Sequence, residues 1–124
     1  MKNKKRVLVI DDEEPIRLLV KMSLMRMDAN TQVIMADNPI EAIKIAETQK
    51  PDLVISDLSM PDMSGIDLCS VLKTNPATQD IPFILLTGSS KTGDIDKAYA
   101  AGISDYILKP ISYDRFSSKV SQVL

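Results

Sequence analysis

Five short apolar runs constrain this chain more than any other feature. They are "RVLVI" at 6–10, "TQVIMA" at 31–36, "DLVIS" at 52–56, "PFILLT" at 82–87 and the shorter "DYILK" at 105–109. Each is too short for a helix and rich in β-branched residues, and longer stretches with helical spacing separate them. Strands that alternate with helices predict βαβ units and a parallel sheet, an α/β fold of five strands and five helices. The runs are almost unbroken in apolar character, as strands buried on both faces should be.

The intervening segments carry helix-end signals. In "DNPIEAIKIAE", Asn38 can cap, Pro39 suits the first turn and Glu41 completes a capping-box-like spacing. Gly102 follows "KAYAA" as a helix-closing glycine, and Ser112 precedes "YDRFSSKVSQVL" as an N-cap. A chain of 124 residues with 44% hydrophobic and 26% charged residues suits one folded domain. A single domain over 1–124, without an output domain in this chain, is therefore expected.

The net charge of −2 gives no basic field for nucleic acid, and the run Lys2, Lys4, Lys5, Arg6 reads as a solvated lead-in to the first strand. No apolar stretch approaches the roughly 20 residues that cross a bilayer, and no signal-peptide core opens the chain, so a cytoplasmic location and no membrane partner are expected. Cys69 is the only cysteine, which excludes an internal disulfide and reads as a packing residue. The absence of histidine excludes Ser-His triads and histidine metal sites.

In an open parallel sheet, sites form beyond the carboxyl ends of the strands. Asp11 and Asp12 follow the first strand, Asp57 ends the third, Thr87 the fourth and Lys109 the fifth. Each has an ordinary explanation alone. An Asp pair after a strand can be a turn and cap, Asp57 a loop cap, Thr87 a strand end and Lys109 a solvated loop lysine. Glu13 and Glu14, beside Pro15, read as first-turn acids favoured by the helix dipole and are left out of the site. The convergence of the others on one rim is what points to a site.

Two carboxylates about 5 Å apart repel by roughly 3 kcal/mol at an effective dielectric of 20. Three would raise one another's pKa or require a cation. Every available ligand is an oxygen, which selects a hard ion, with Mg²⁺ the usual choice beside phosphate and Mn²⁺ an alternative. Lys109 adds a fixed positive charge for an anion next to that metal. The residues alone thus predict a rim for a metal and an anion.

The segments "VLVIDDEEPIR", "PDLVISDLSMPDMSGIDL", "IPFILLTGS" and "AGISDYILKPI" together resemble the response-regulator receiver domains of two-component signalling, of the chemotaxis-regulator kind, over essentially the whole chain. The resemblance implies a flavodoxin-like doubly wound sheet of order 2-1-3-4-5. It implies that Asp57 is the phosphoacceptor, with a phosphohistidine on a sensor histidine kinase or a histidine phosphotransfer protein as donor, and small acyl phosphates as further donors. Asp12 and Asp57 would ligate Mg²⁺ directly, Asp11 through water, and the Ser59 carbonyl would complete the protein ligands. Lys109, Thr87 and the Gly88 amide would hold the phosphoryl oxygens. It also implies a cis Lys109–Pro110 bond, while tight turning in "MPDMSG" suggests a positive φ at Gly65.

The resemblance further implies a switch. Thr87 would be drawn to the phosphate, Tyr106 would turn inward, and the face of the fourth helix, fifth strand and fifth helix would change shape for a downstream protein. From the residues alone, Tyr106 reads as a half-buried aromatic on an edge strand. Ser59 and Ser89, small residues beside the phosphate, would leave a route for hydrolytic water and so an acyl phosphate of no extreme lifetime. In the first helix, Ile16, Leu19, Val20, Ser23, Leu24 and Met27 form an expected core stripe. Leu18, Met22 and Met25 gather on the other side, either as scattered surface residues or as a docking face for a partner or a second copy in a homodimer.

Three rival readings remain open. A haloacid-dehalogenase-like hydrolase would use similar groups, but "DLS" puts Ser59 where an Asp-x-Asp motif needs its second acid. A flavodoxin-like flavin binder would need a phosphate loop where this chain has acids. A receiver fold serving only as an interaction module would not need the full set of rim residues.

Overall fold

The computed structural model describes residues 4–88 and 92–124. Among these, five strands alternate with five helices. In chain order they are β1 (Arg6–Ile10), α1 (Glu14–Met27), β2 (Gln32–Ala36), α2 (Pro39–Gln49), β3 (Leu53–Asp57), α3 (Gly65–Lys73), β4 (Phe83–Thr87), α4 (Thr92–Ala101), β5 (Asp105–Leu108) and α5 (Tyr113–Val123). All strand pairs are parallel, in the order β2-β1-β3-β4-β5. This is the flavodoxin-like doubly wound sheet that the resemblance implies.

Strand alternation divides the core in two, because successive side chains leave a strand on opposite faces. Leu8, Ile10, Val54, Phe83 and Leu85 pack with Ala42 and Ala46 of α2, Leu68 and Leu72 of α3 and Ala98 of α4. Val7, Val9, Leu53, Ile55, Ile84 and Leu86 pack on the other face with Val20 and Leu24 of α1 and Phe116 and Val120 of α5. The chain therefore leaves β1 toward one layer and β3 toward the other. A crevice opens between their carboxyl ends, where such sheets place their sites.

The helix ends behave as the sequence predicts at three points. Asn38 accepts the Glu41 amide at 2.9 Å, Ser112 accepts the Arg115 amide at 3.5 Å, and Gly102 closes α4 with φ +110°. A fourth end was not foreseen: Lys50 closes α2 in the left-handed region, at φ 46°. The Lys109–Pro110 bond is cis.

Two expectations are corrected. Gly65 does not have a positive φ; Gly102 is the positive-φ glycine among the described residues. Gly65 is required for space instead, since a Cβ there would lie 2.3 Å from the Asp57 carbonyl oxygen and 2.8 Å from Leu85 Cδ1. Leu19 is not in the core but 41% exposed. At 100° per residue it lies roughly 80° round α1 from the centre of the buried stripe, at the margin of the layer. Val20, Ser23 and Leu24 are buried, Ile16 and Met27 half-buried, and Leu18, Met22 and Met25 exposed as expected.

Candidate phosphoacceptor and metal site

Each site residue lies at or just past the carboxyl end of a strand. Asp57 is the last residue of β3 and is itself buried; Leu58 beyond it donates to the Leu86 carbonyl at 2.8 Å, so the end of β3 cannot fray. Asp11 follows β1 and is fully buried. Its Oδ1 accepts the Glu13 amide at 2.9 Å, an Asx-type turn that starts α1. Glu13 is the N-cap of α1 and makes no side-chain cap bond, and Glu14 lies in the first turn. Asp12 is exposed beside it.

Asp11, Asp12 and Asp57 each bring a carboxylate oxygen within 4.8 Å of the others. Lys109, just past β5, reaches into this group: its Nζ lies 3.0 Å from Asp57 Oδ1 and 3.4 Å from Asp11 Oδ2. Its backbone amide donates to the Thr87 carbonyl at 2.8 Å, which fixes it beside β4. Thr87 is buried at the end of β4 and Gly88 is exposed next to it. The structure therefore brings the three carboxylates and the Lys109 amine together, with Thr87 at the same end of the sheet.

The charge balance at the rim is uneven. Burial, the largest cause, raises the Asp11 carboxyl above its ordinary 3.8, and the Asp57 charge adds to the rise; the Glu13 amide and Lys109 oppose it. Burial alone would lower Lys109, but its hydrogen bond to Asp57 and the charges of Asp11 and Asp57 together raise it. One ammonium thus serves more negative charge than it can neutralise. Clustered oxygens of like charge, one of them resisting ionisation, suit a hard divalent cation.

The remaining predicted residues are placed less tightly. Ser59 lies exposed two residues past Asp57, and Ser89 falls outside the described residues. Tyr106 is half-buried on the edge strand β5. Its ring meets Tyr99 edge-on at 6.4 Å and carries Lys119 Nζ 4.6 Å from its centroid. Lys119 also pairs with Asp105 at 2.9 Å. Sequence reasoning passed over Arg17, whose Nη1 donates to the Asp11 carbonyl at 2.6 Å.

Residues 7–121 match the response regulator receiver domain. The chain belongs to the response regulator receiver domain family. Among curated relatives, this receiver is 35% identical over 120 residues to the alkaline phosphatase synthesis transcriptional regulatory protein PhoP of Bacillus subtilis, covering 97% of this chain and 48% of that protein. It is 34% identical over 123 residues to histidine kinase P4 of Formosa agariphila, covering 99% of this chain but 9% of the kinase. The receiver thus spans about half or less of the length of these relatives. Among solved structures, chemotaxis protein CheY4 of Vibrio cholerae superposes with a TM-score of 0.90 at 26% identity, covering 98% of this chain and 100% of that one. Membership of this family sets aside the flavin-binding and ester-hydrolase readings. No helix among the described residues of the receiver is long and apolar enough to cross a membrane.

Proposed function

We propose that this receiver accepts a phosphoryl group on Asp57 in a Mg²⁺-dependent step and so switches a partner-binding face. The observation that carries the reading is the contact of Lys109 with both Asp57 and Asp11, inside a cluster that also includes Asp12. Asp11, Asp12 and Asp57, with the Ser59 carbonyl, are the residues that would hold Mg²⁺ or Mn²⁺. The bound ion would supply charge neutralisation at the phosphoryl oxygens.

The protein's own groups do the rest. A carboxylate oxygen of Asp57 attacks phosphorus in line, and the bond from phosphorus to the donor imidazole nitrogen breaks, with the electron pair leaving on that nitrogen. Lys109 keeps Asp57 aimed and balances the charge on the transferring group. The Thr87 hydroxyl and Gly88 amide take the remaining phosphoryl oxygens. The donor is a sensor histidine kinase or a histidine phosphotransfer protein, which fits a chain without histidine of its own. We place this exchange in the cytoplasm, with the switched face acting on an unidentified downstream protein.

In the output step, the phosphate attracts Thr87 and favours an inward Tyr106, which must give up its contacts with Tyr99 and Lys119. Intact mass after incubation with Mg²⁺ and acetyl phosphate tests the core claim. The parent gains one phosphoryl group; Asp57→Asn and the parent in EDTA gain none. A parent that stays unmodified, or an Asp57→Asn variant that is modified equally, overturns the reading and favours an unphosphorylated interaction module.

A further inference from the structure

Asp11 is tied through every polar group it has. Its amide faces the Ala36 carbonyl at 3.4 Å, Oδ1 accepts from Glu13 at 2.9 Å and Oδ2 lies 3.4 Å from Lys109. The shortest tie is the fourth, at 2.6 Å, from Arg17 Nη1 to the Asp11 carbonyl. Arg17 is half-buried on α1, six residues past Asp11, and takes no part in the chemistry described above.

That carbonyl belongs to the peptide joining Asp11 to Asp12. The peptide is planar, so holding its oxygen also sets the direction in which the chain enters Asp12. A charged donor makes this bond stronger than a neutral one would. Asp12 needs such help: it is exposed, and among the described residues its carboxylate has no hydrogen bond of its own to aim it. Yet its oxygen lies within 4.8 Å of those of Asp11 and Asp57.

We infer that Arg17 is a positioning residue for the acidic cluster, clamping the Asp11–Asp12 peptide so that the Asp12 carboxylate faces the cation. The inference rests on the proposed metal role of that cluster and deepens it. Its sign separates it from an effect of charge. Removing a positive charge beside a cation site should tighten Mg²⁺ binding by Coulomb's law. Losing a clamp should weaken it, as loss of outer-shell support of metal ligands does elsewhere, by about 10–100-fold.

The test is Mg²⁺ binding by calorimetry at neutral pH for the parent, Arg17→Ala, Arg17→Lys and Lys21→Ala. Lys21→Ala removes the same charge one turn further along α1. Hydrogen exchange at the Glu13 amide in EDTA provides a metal-free readout. Arg17→Ala should bind Mg²⁺ at least about tenfold more weakly, with faster exchange at Glu13. Lys21→Ala should bind as tightly as the parent or more so, and Arg17→Lys should fall between parent and Arg17→Ala. An Arg17→Ala variant that binds as tightly as the parent, with unchanged Glu13 exchange, overturns the clamp but not the metal site. A parent that takes up no Mg²⁺ overturns both. Should Arg17→Ala not fold, Arg17→Lys decides alone: weaker binding with faster exchange supports the clamp, and parent-like values overturn it.

Discussion

At the amino ends of the strands, charged groups close the fold. Asp52 accepts the Arg6 amide at 2.9 Å, and Lys73 donates to the Ile81 carbonyl at 2.6 Å. At the carboxyl ends, three carboxylates crowd within 4.8 Å of one another around Lys109. The contacts at the first end pair a charged group with a main-chain partner of opposite polarity, although the buried Nε of Arg6 there has no hydrogen-bond partner among the described residues, whereas the second end holds like charges together. The rigid, double-layered core between them is what keeps the second arrangement in place. The proposed function thus falls at one end of the strands, and contacts that only close the fold at the other.

The separation can be broken experimentally. Phe83 starts β4 on the quiet side and is 1% exposed, so Phe83→Ala should cost about 3–5 kcal/mol in denaturant melts. The fraction that remains folded should still accept phosphate; loss of acceptance in folded protein would show that the two ends are not independent. Gly65→Ala should cost less, about 1–3 kcal/mol, but should also slow modification of Asp57, because the new methyl group must displace the Asp57 carbonyl. A folded Gly65→Ala variant with parent-like phosphorylation would refute the steric role given to Gly65.

Asp11→Asn sharpens the comparison from the other side. In EDTA at neutral pH it should melt at or above the parent's temperature while binding Mg²⁺ more weakly, since it removes a buried charge that the fold resists. A lower melting temperature would mean that the Lys109 contact outweighs burial. The smallest effect is the pH dependence of that difference. Because the folded-state value of Asp11 is raised above the ordinary 3.8, its ionisation disfavours folding. The two proteins should therefore converge in stability at acid pH, where Asp11 is protonated folded and unfolded alike. They should diverge as pH rises from that ordinary value through the raised one. A gap of constant size across the titration would contradict the burial of this charge.

Much of this was legible in the residues. Strand positions followed from five runs that have no other sensible use, and a parallel sheet then brought Asp11, Asp12, Asp57, Thr87 and Lys109 to one rim by topology alone. Caps at Asn38 and Ser112 were readable because side-chain oxygens before helices have a known purpose. What escaped was whatever depends on the main chain. Arg17 meets a carbonyl, which any residue would present, so no pattern announces the contact. Gly65 was assigned the wrong reason, since an absent side chain can signal either an unusual φ or a close approach. Lys50 takes a conformation usually left to glycine. Leu19 lies where periodicity cannot tell margin from centre.

The Gly65 amide also donates to the Leu58 carbonyl at 2.8 Å, while Leu58 is itself bound to Leu86. The six residues from Ser59 to Ser64 are thereby pinched off as a closed loop whose neck is held by main-chain hydrogen bonds. Such a loop can exchange its exposed side chains, at Ser59, Pro61 and Asp62, and with them the character of whatever approaches the proposed nucleophile, while Met60 and Met63 stay packed on the core and Ser64 stays the cap of α3. Diversification of this surface therefore has a ready-made cassette, bounded by one leucine and one residue that must stay bare.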